Sequence, residues 1–193
     1  MKLFLLLISI HFLLSACSTV AMGGAEFTGL SLLHDRRSSA VIINDEHIEI
    51  STFIKLNMEE DIRKNCHFNI TSYNGTVLVT GEAPTEALRN KIIAIVKVLP
   101  DVKVVHNEMS IAQPSSLLSR TQDTLITTYV KSALSDVKNL PGFDATRVKV
   151  ITENQHVYLL GIVHKKEGLV ATDIARKTNN VKQVIKIFEY INY

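Results

Sequence analysis

The sequence predicts an α+β fold made of two tandem αββαβ units. Three observations predict it. Apolar spacing alternates between the helical and the strand period in the same order twice. The strand ending "VLVTG" at 77–81 returns as "VYLLG" at 157–161, at the same place in the second run. The segment between the runs, "AQPSSLLSR" at 112–120, is short and rich in proline and serine, as a connection between folded units is. The resulting plan is an export signal at 1–16, a tether at 17–43, a first unit at 44–112, a linker at 113–120 and a second unit at 121–193.

The N-terminus begins Met1-Lys2 and runs apolar from Leu3 to Leu14, broken by Ser9 and His11. A dozen residues are too few for a bilayer core, which needs about 20 in a helix. A basic start, a short apolar stretch and the small residues Ser15-Ala16 read as a secretory signal. Leu14-Ser15-Ala16-Cys17 resembles the bacterial lipobox, in which the cysteine thiol is acylated and becomes the first mature residue. The alternative is an ordinary signal cut near Ala21. Several acyl chains, at about 0.8 kcal/mol per buried methylene, would hold the chain firmly to a membrane. Ser18 follows the cysteine in place of aspartate, and the resemblance to Gram-negative lipoproteins then implies sorting to the outer membrane.

In the first unit, Ile50, Phe53, Ile54, Met58 and Ile62 recur every three or four residues and predict one buried helical face, with Asp45 as N-cap. Phe68 and Ile70 alternate with polar residues, Asn74-Gly75 suits a tight hairpin, and Val77 and Val79 alternate on the return. Pro84 suits a helix start, Leu88, Ile92, Ile95, Val96 and Leu99 mark its apolar side, and Pro100 ends it. "DVKVVHNEMSI" is the third strand. The second unit repeats the order. Ile126, Val130, Ala133 and Val137 stripe a helix at 121–140; Val148, Val150, Val157 and Leu159 alternate across a hairpin; Val170, Ile174 and Ala175 mark the second helix; "VKQVIKIFEYI" closes it. Gly81 and Gly161 each end the second strand just before a helix, where a glycine permits a bend or close packing against that helix.

The αββαβ unit with a V-x-V/L-x-G strand before its second helix resembles the BON domain. Two such units behind a lipobox resemble the dual-BON outer-membrane lipoproteins of Gram-negative bacteria, relatives of the osmotically inducible periplasmic BON protein. The closest likeness lies in "DTLITTYVKSAL" (123–134) and "VKVITENQHVYLLGIV" (148–163), and the match covers about residues 45–190. The resemblance implies a three-stranded mixed sheet packed on two helices in each unit. Two positions depart from the family pattern. The glycine before the last strand is Asp101 in one unit and Asn180 in the other, residue types that tolerate the left-handed conformation. The aromatic residue expected near the start of the second unit's first helix is Leu125.

No catalytic constellation is present. The histidines form no H-x-x-x-H pair and no cysteine pair accompanies them, so no metal or cofactor is implied. Cys66 is the only cysteine besides Cys17, which leaves no disulfide once Cys17 is acylated, and Cys66 reads as a small buried hydrophobe. The serines at 115, 116 and 119 lack a G-x-S-x-G elbow, and the glycines lack a phosphate-loop pattern. No basic cluster with interleaved aromatics points to nucleic acid.

Charge is uneven. Residues 17–112 carry 9 basic against 12 acidic side chains, and residues 113–193 carry 11 against 7. A basic half on a tethered chain suits anionic lipid, an anionic polymer or an acidic partner. Leu125 and Tyr129 lie one helical turn apart beside the core stripe of the second unit, Lys131 and Lys138 flank the polar side, and Phe143 sits in the "NLPGFD" loop. The resemblance implies anionic phospholipid binding through this helix. The reading that follows is a non-enzymatic lipoprotein of the outer membrane, facing the periplasm and supporting envelope integrity, with the division site as one place of action. The alternative is an adaptor that docks a periplasmic protein partner, a cell-wall hydrolase activator or the outer-membrane assembly machinery.

Overall fold

The computed structural model describes residues 34–192. The signal peptide, Cys17 and the tether up to residue 33 lie outside the described residues. The rest forms helices α1 (Ser39–Met58) and α2 (Glu60–Asn65), strands β1 (His67–Tyr73) and β2 (Thr76–Ala83), helix α3 (Glu86–Lys97) and strand β3 (Val104–Ile111). Helix α4 (Leu117–Ser135), strands β4 (Lys149–Glu153) and β5 (His156–His164), helix α5 (Lys165–Lys177) and strand β6 (Gln183–Ile191) follow. Each sheet is three-stranded, in the order β1-β2-β3 and β4-β5-β6. The hairpin pair is antiparallel and the crossover pair parallel. This is the mixed sheet that two αββαβ units require, because the helix between the second and third strands carries the chain back to the sheet's starting end.

The buried side of α1 differs from the one its apolar spacing predicts. Ile48, Thr52 and Leu56 face the core together with Asp45, while Ile43, Ile50, Phe53, Ile54 and Met58 are exposed. Both sides of this helix carry apolar residues, so periodicity alone selects the wrong one. The buried Asp45 decides the orientation. It is not the N-cap, which is Ser38. Its carboxylate instead accepts hydrogen bonds from the Asn74 and Gly75 amides at 2.7 and 2.8 Å, from the Ser72 hydroxyl at 2.6 Å and from Arg37 at 2.8 Å. Asp123 does the same in the second unit, accepting from the Asn154 and Gln155 amides at 2.9 and 2.8 Å. All four turn residues have positive φ, the conformation of the tight hairpin whose amides point away from the ladder. Each first helix thus clamps its own hairpin through one aspartate.

The other sequence signals resolve simply. Asp101 and Asn180 adopt the left-handed conformation, with φ of 64° and 67°. Gly81, at φ +114°, has no room for a side chain because a Cβ would collide with the His67 carbonyl on β1, and a Cβ on Gly161 would strike the Arg147 carbonyl. The glycines therefore admit the neighbouring chain within the sheet rather than the helix. Thr85, not Pro84, caps α3. Helix α4 begins at Leu117, inside the expected linker, and buries Ile126, Val130 and Leu134, ending before Val137. Cys66 packs against the first core, and burial pushes its thiol up.

The two units pack sheet against sheet. Val77, Val79, Val157 and Leu159 face their own helices in two separate cores. The intervening residues Leu78, Tyr158, Leu160 and Ile162, with Tyr73, form a third core between the sheets. Strands β2 and β5 are thus buried on both faces, which explains the near-continuous apolar runs in "VLV" and "VYLLGIV". Polar contacts frame this third core: Lys149 reaches Glu49 at 2.8 Å, Asn74 reaches Glu189 at 2.6 Å, and Asn154 reaches Glu82 at 2.6 Å. The segment before α1 straps the units together. Arg36 grips the Glu167 carboxylate with two nitrogens at 2.7 and 3.0 Å and donates to the Ile162 carbonyl at 2.8 Å, while Arg37 lies 3.8 Å above the Tyr73 ring.

Two predictions follow from these clamps. Burial alone would raise the Asp45 carboxyl, but the hydrogen bonds from Ser72, Gly75, Asn74 and Arg37 outweigh it and hold the group below its ordinary value. Its stabilising contribution is then complete above the unfolded pKa of about 4 and is lost as pH falls through the lower folded value. Asp45→Asn therefore lowers stability in urea by about 2–3 kcal/mol at pH 7 and flattens the loss of stability below pH 4. Arg36→Ala removes a charge-assisted pair with a buried carboxylate and costs about 1.5–3 kcal/mol in the same measurement, with Arg36→Lys recovering only part.

Candidate functional site

The residues singled out in the second unit run from the middle of helix α4 into the loop after it. An α-helix turns about 100° per residue, which fixes which of them share a side. Leu125 and Tyr129 do share one, and both are half-exposed, at 49% and 54%. Leu118, at 69%, falls on the same line one helical turn and a heptad away, so Leu118, Leu125 and Tyr129 make an exposed apolar ridge. The buried side, Asp123, Ile126, Val130 and Leu134, lies next to this ridge and anchors it.

Lys131 does not join the ridge. Two residues beyond Tyr129, it points about 200° away around the helix, across the buried stripe. Lys138 lies past the helix end, on an exposed stretch of the loop. Phe143 departs from the expectation of an open loop tip: it is half-buried and packs against the second core. A lysine that the sequence did not single out takes the place beside Tyr129. Tyr129, Ala133, Ile174, Lys177, Thr178 and Asn179 line a shallow groove of about 450 Å³ between α4 and the end of α5. Lys177 lies within 2.7 Å of Asp173 on an exposed helix face, where an ion pair in water contributes little and yields readily to another anion. The signals for Leu118 and Lys177 were in the sequence. Leu118 falls in the predicted linker at 113–120, and Lys177 follows Ile174 by three residues, on the adjoining face of its helix.

The start of the described chain lies against the loop that follows α4. The His34 carbonyl accepts from Arg147 Nε at 3.0 Å, and its imidazole Nδ1 lies 3.6 Å from Asp144. Arg147 also holds the Gly142 carbonyl at 2.7 Å, next to Phe143. Hydrogen bonds from Thr146 and the charges of His34 and Arg147 outweigh the partial burial of Asp144 and keep its carboxyl below the ordinary range. The segment that leads back toward Cys17 is therefore fastened to the 142–147 loop of the second unit.

Comparison with known proteins agrees with the architecture. The BON domain family model matches residues 44–113 and again 122–192. The chain is similar to the protein named "Outer membrane lipoprotein DolP" of Haemophilus influenzae, with 34% identity over 99% of this chain and 96% of that protein. It is also similar to a "21 kDa hemolysin" of Actinobacillus pleuropneumoniae, with 31% identity over 81% of this chain and 79% of that one. Among solved structures, the C-terminal domain of CdsD, a structural protein of the type III secretion system of Chlamydia trachomatis, aligns over 77% of this chain and 67% of its own at 12% identity and a TM-score of 0.30. Two family matches, one on each αββαβ unit, leave a single assignment: the chain belongs to the BON-domain family and carries two of these domains in tandem.

Proposed function

We propose that this protein is a non-enzymatic outer-membrane lipoprotein, held by acyl chains on Cys17 and facing the periplasm. Its second BON domain binds anionic phospholipid and so supports outer-membrane integrity, including at the division site. The observation that carries the reading is the exposed Leu118–Leu125–Tyr129 ridge beside the groove that holds Lys177. Apolar side chains that enter the headgroup layer, with a lysine at phosphate depth, give weak and reversible adhesion, and each cation near an anionic surface adds about 1 kcal/mol. The strap supports the same orientation. Sixteen residues lie between Cys17 and His34, and the stretch spans at most about 60 Å. A chain fastened at the 142–147 loop brings that end of the second domain toward the anchor. The likeness to an outer membrane lipoprotein of Haemophilus influenzae supports this reading.

A second reading rests on helix α1. Ile43, Ile50, Ile54 and Met58 form an apolar line on its outer side, and Phe53 lies beside it with its ring 6.3 Å from that of Phe68. A line of this kind on the acidic domain suits a protein partner, which makes the first domain the docking side of an adaptor.

Vesicle flotation tests the first reading. Unacylated protein floats with anionic vesicles and not with neutral ones, and Leu125→Glu combined with Tyr129→Glu reduces recovery by about tenfold without lowering the unfolding temperature. Equal recovery on neutral and anionic vesicles contradicts lipid recognition. In cells, Cys17→Ala moves the protein from the membrane fraction to the soluble periplasmic fraction; retention in the membrane contradicts the acyl anchor.

A further inference from the structure

The rim of the intersheet core contains a side-chain cluster that lipid binding does not use. His67 opens β1, Glu82 is its register partner on β2, and Glu153 ends β4 in the other domain. One potential ligand atom from each residue lies within 4.8 Å of the other two. Glu82 and Glu153 are 2% and 4% exposed. Among the described residues, no lysine or arginine nitrogen lies within ion-pair distance of either carboxylate.

The hydrogen bonds leave one corner of the cluster open. Glu82 accepts from Asn154 Nδ2 at 2.6 Å and from the Ser115 amide at 3.2 Å. Glu153 Oε2 accepts from Asn69 Nδ2 at 2.8 Å and from the Thr80 hydroxyl at 3.2 Å. Glu153 Oε1 receives no hydrogen bond among the described residues, and its neighbour is His67 Nε2 at 3.7 Å. Asn69 Nδ2 also lies 3.4 Å from that nitrogen. Arg120 stands behind the cluster, held by the Ser115 carbonyl at 2.9 Å and its hydroxyl at 3.3 Å. His67 Nε2 and the carboxylate oxygen of Glu153 that carries no hydrogen bond thus face each other, with the buried Glu82 carboxylate beside them. Buried charges of one sign are costly unless a cation or a proton offsets them.

We propose that His67, Glu82 and Glu153 bind one zinc ion that joins the two BON domains. One imidazole with two carboxylates is a three-ligand set that zinc takes with water as the fourth ligand. Calcium needs six to eight oxygens, and magnesium rarely takes imidazole. Zinc bonds of about 2.1 Å place tetrahedral ligands about 3.4 Å apart, so side-chain rotation has to close the widest gap by about 1.4 Å. Two ligands come from the first domain and one from the second, so the ion fastens the domains at the end of the interface away from the Arg36 strap. Asn69 and Asn154, already bonded to the carboxylates, hold the ligands in place.

The test uses full-length protein purified in detergent and stripped with a chelator. Titration with zinc chloride, followed by calorimetry and elemental analysis after desalting, gives one zinc per chain and a rise in unfolding temperature, while magnesium chloride gives neither. His67→Gln and Glu153→Gln each weaken zinc binding by about 100-fold, and Glu60→Gln on the exposed face of α2 changes nothing. Substoichiometric zinc in the unsubstituted protein overturns the proposal, as does unchanged affinity in both cluster variants. If the variants do not fold, cobalt bound to the unsubstituted chain decides. An intense tetrahedral absorption supports the site, and the weak octahedral spectrum overturns it.

Discussion

A three-stranded sheet in this protein cannot leave its second face in water. Each domain covers one face of its sheet with two long helices, and the opposite face still carries large apolar side chains: Tyr73 and Leu78 in one sheet, Tyr158, Leu160 and Ile162 in the other. Small sheets of this size are marginal without cover, and the cheapest cover is a copy of the same surface. The duplication therefore does more than repeat a binding module. It lets two sheets bury each other and gives a helix–sheet–sheet–helix sandwich with three separate cores. The buried polar residues at its edges follow from this arrangement, because the sheet ends bring carboxylates and amides to the margin of the apolar layer.

The interface also determines which surfaces remain free. With the sheets covered face to face, the outer helix faces, the loops and the edge strands meet the surroundings. The outer side of α1 presents isoleucines and Met58, and one side of α4 presents Leu118, Leu125 and Tyr129. These two faces differ in their neighbours. The α1 line belongs to the acidic domain, and the α4 ridge borders a groove with a lysine. The strap at Arg36 is held firmly, because Glu167 at the start of α5 caps its helix through the His164 amide at 2.7 Å and holds Arg36 at the same time. Arg36 outweighs the burial of Glu167 and keeps the carboxyl below its ordinary range, so the clamp stays charged at neutral pH.

Much of the fold was legible because its signals are local. Asn74-Gly75, the alternating Val77 and Val79, and the repeated V-x-V/L-x-G strand each specify a turn or a strand face without help from distant residues. Asp101 and Asn180 were readable as left-handed positions for the same reason. The misreadings share one physical cause, which is a contact with a distant element. The exposed isoleucines of α1 match a helical period as well as the buried ones do, and only the hairpin amides held by Asp45 break the tie. Leu78, Tyr158 and Leu160 occupy positions that a one-faced sheet would leave polar, a trace of the second interface that alternation alone does not weigh. On the outer side of α4, Leu125 and Tyr129 were legible from their spacing, whereas Lys177 joins them only through the packing of α5 on α4. His67, Glu82 and Glu153 have no common sequence motif. Only the pairing of β1 with β2 and the docking of the second domain bring them together.

The central claim is that the two domains are one cooperative unit because each sheet is the other's cover. Scanning calorimetry of the intact chain tests it most directly, with Leu160→Asp as the comparison. The account predicts one unfolding transition, with equal calorimetric and van't Hoff enthalpies, that splits or falls sharply when a charge enters the layer between the sheets. Two well-separated transitions in the unsubstituted protein, unaffected by that change, would contradict it.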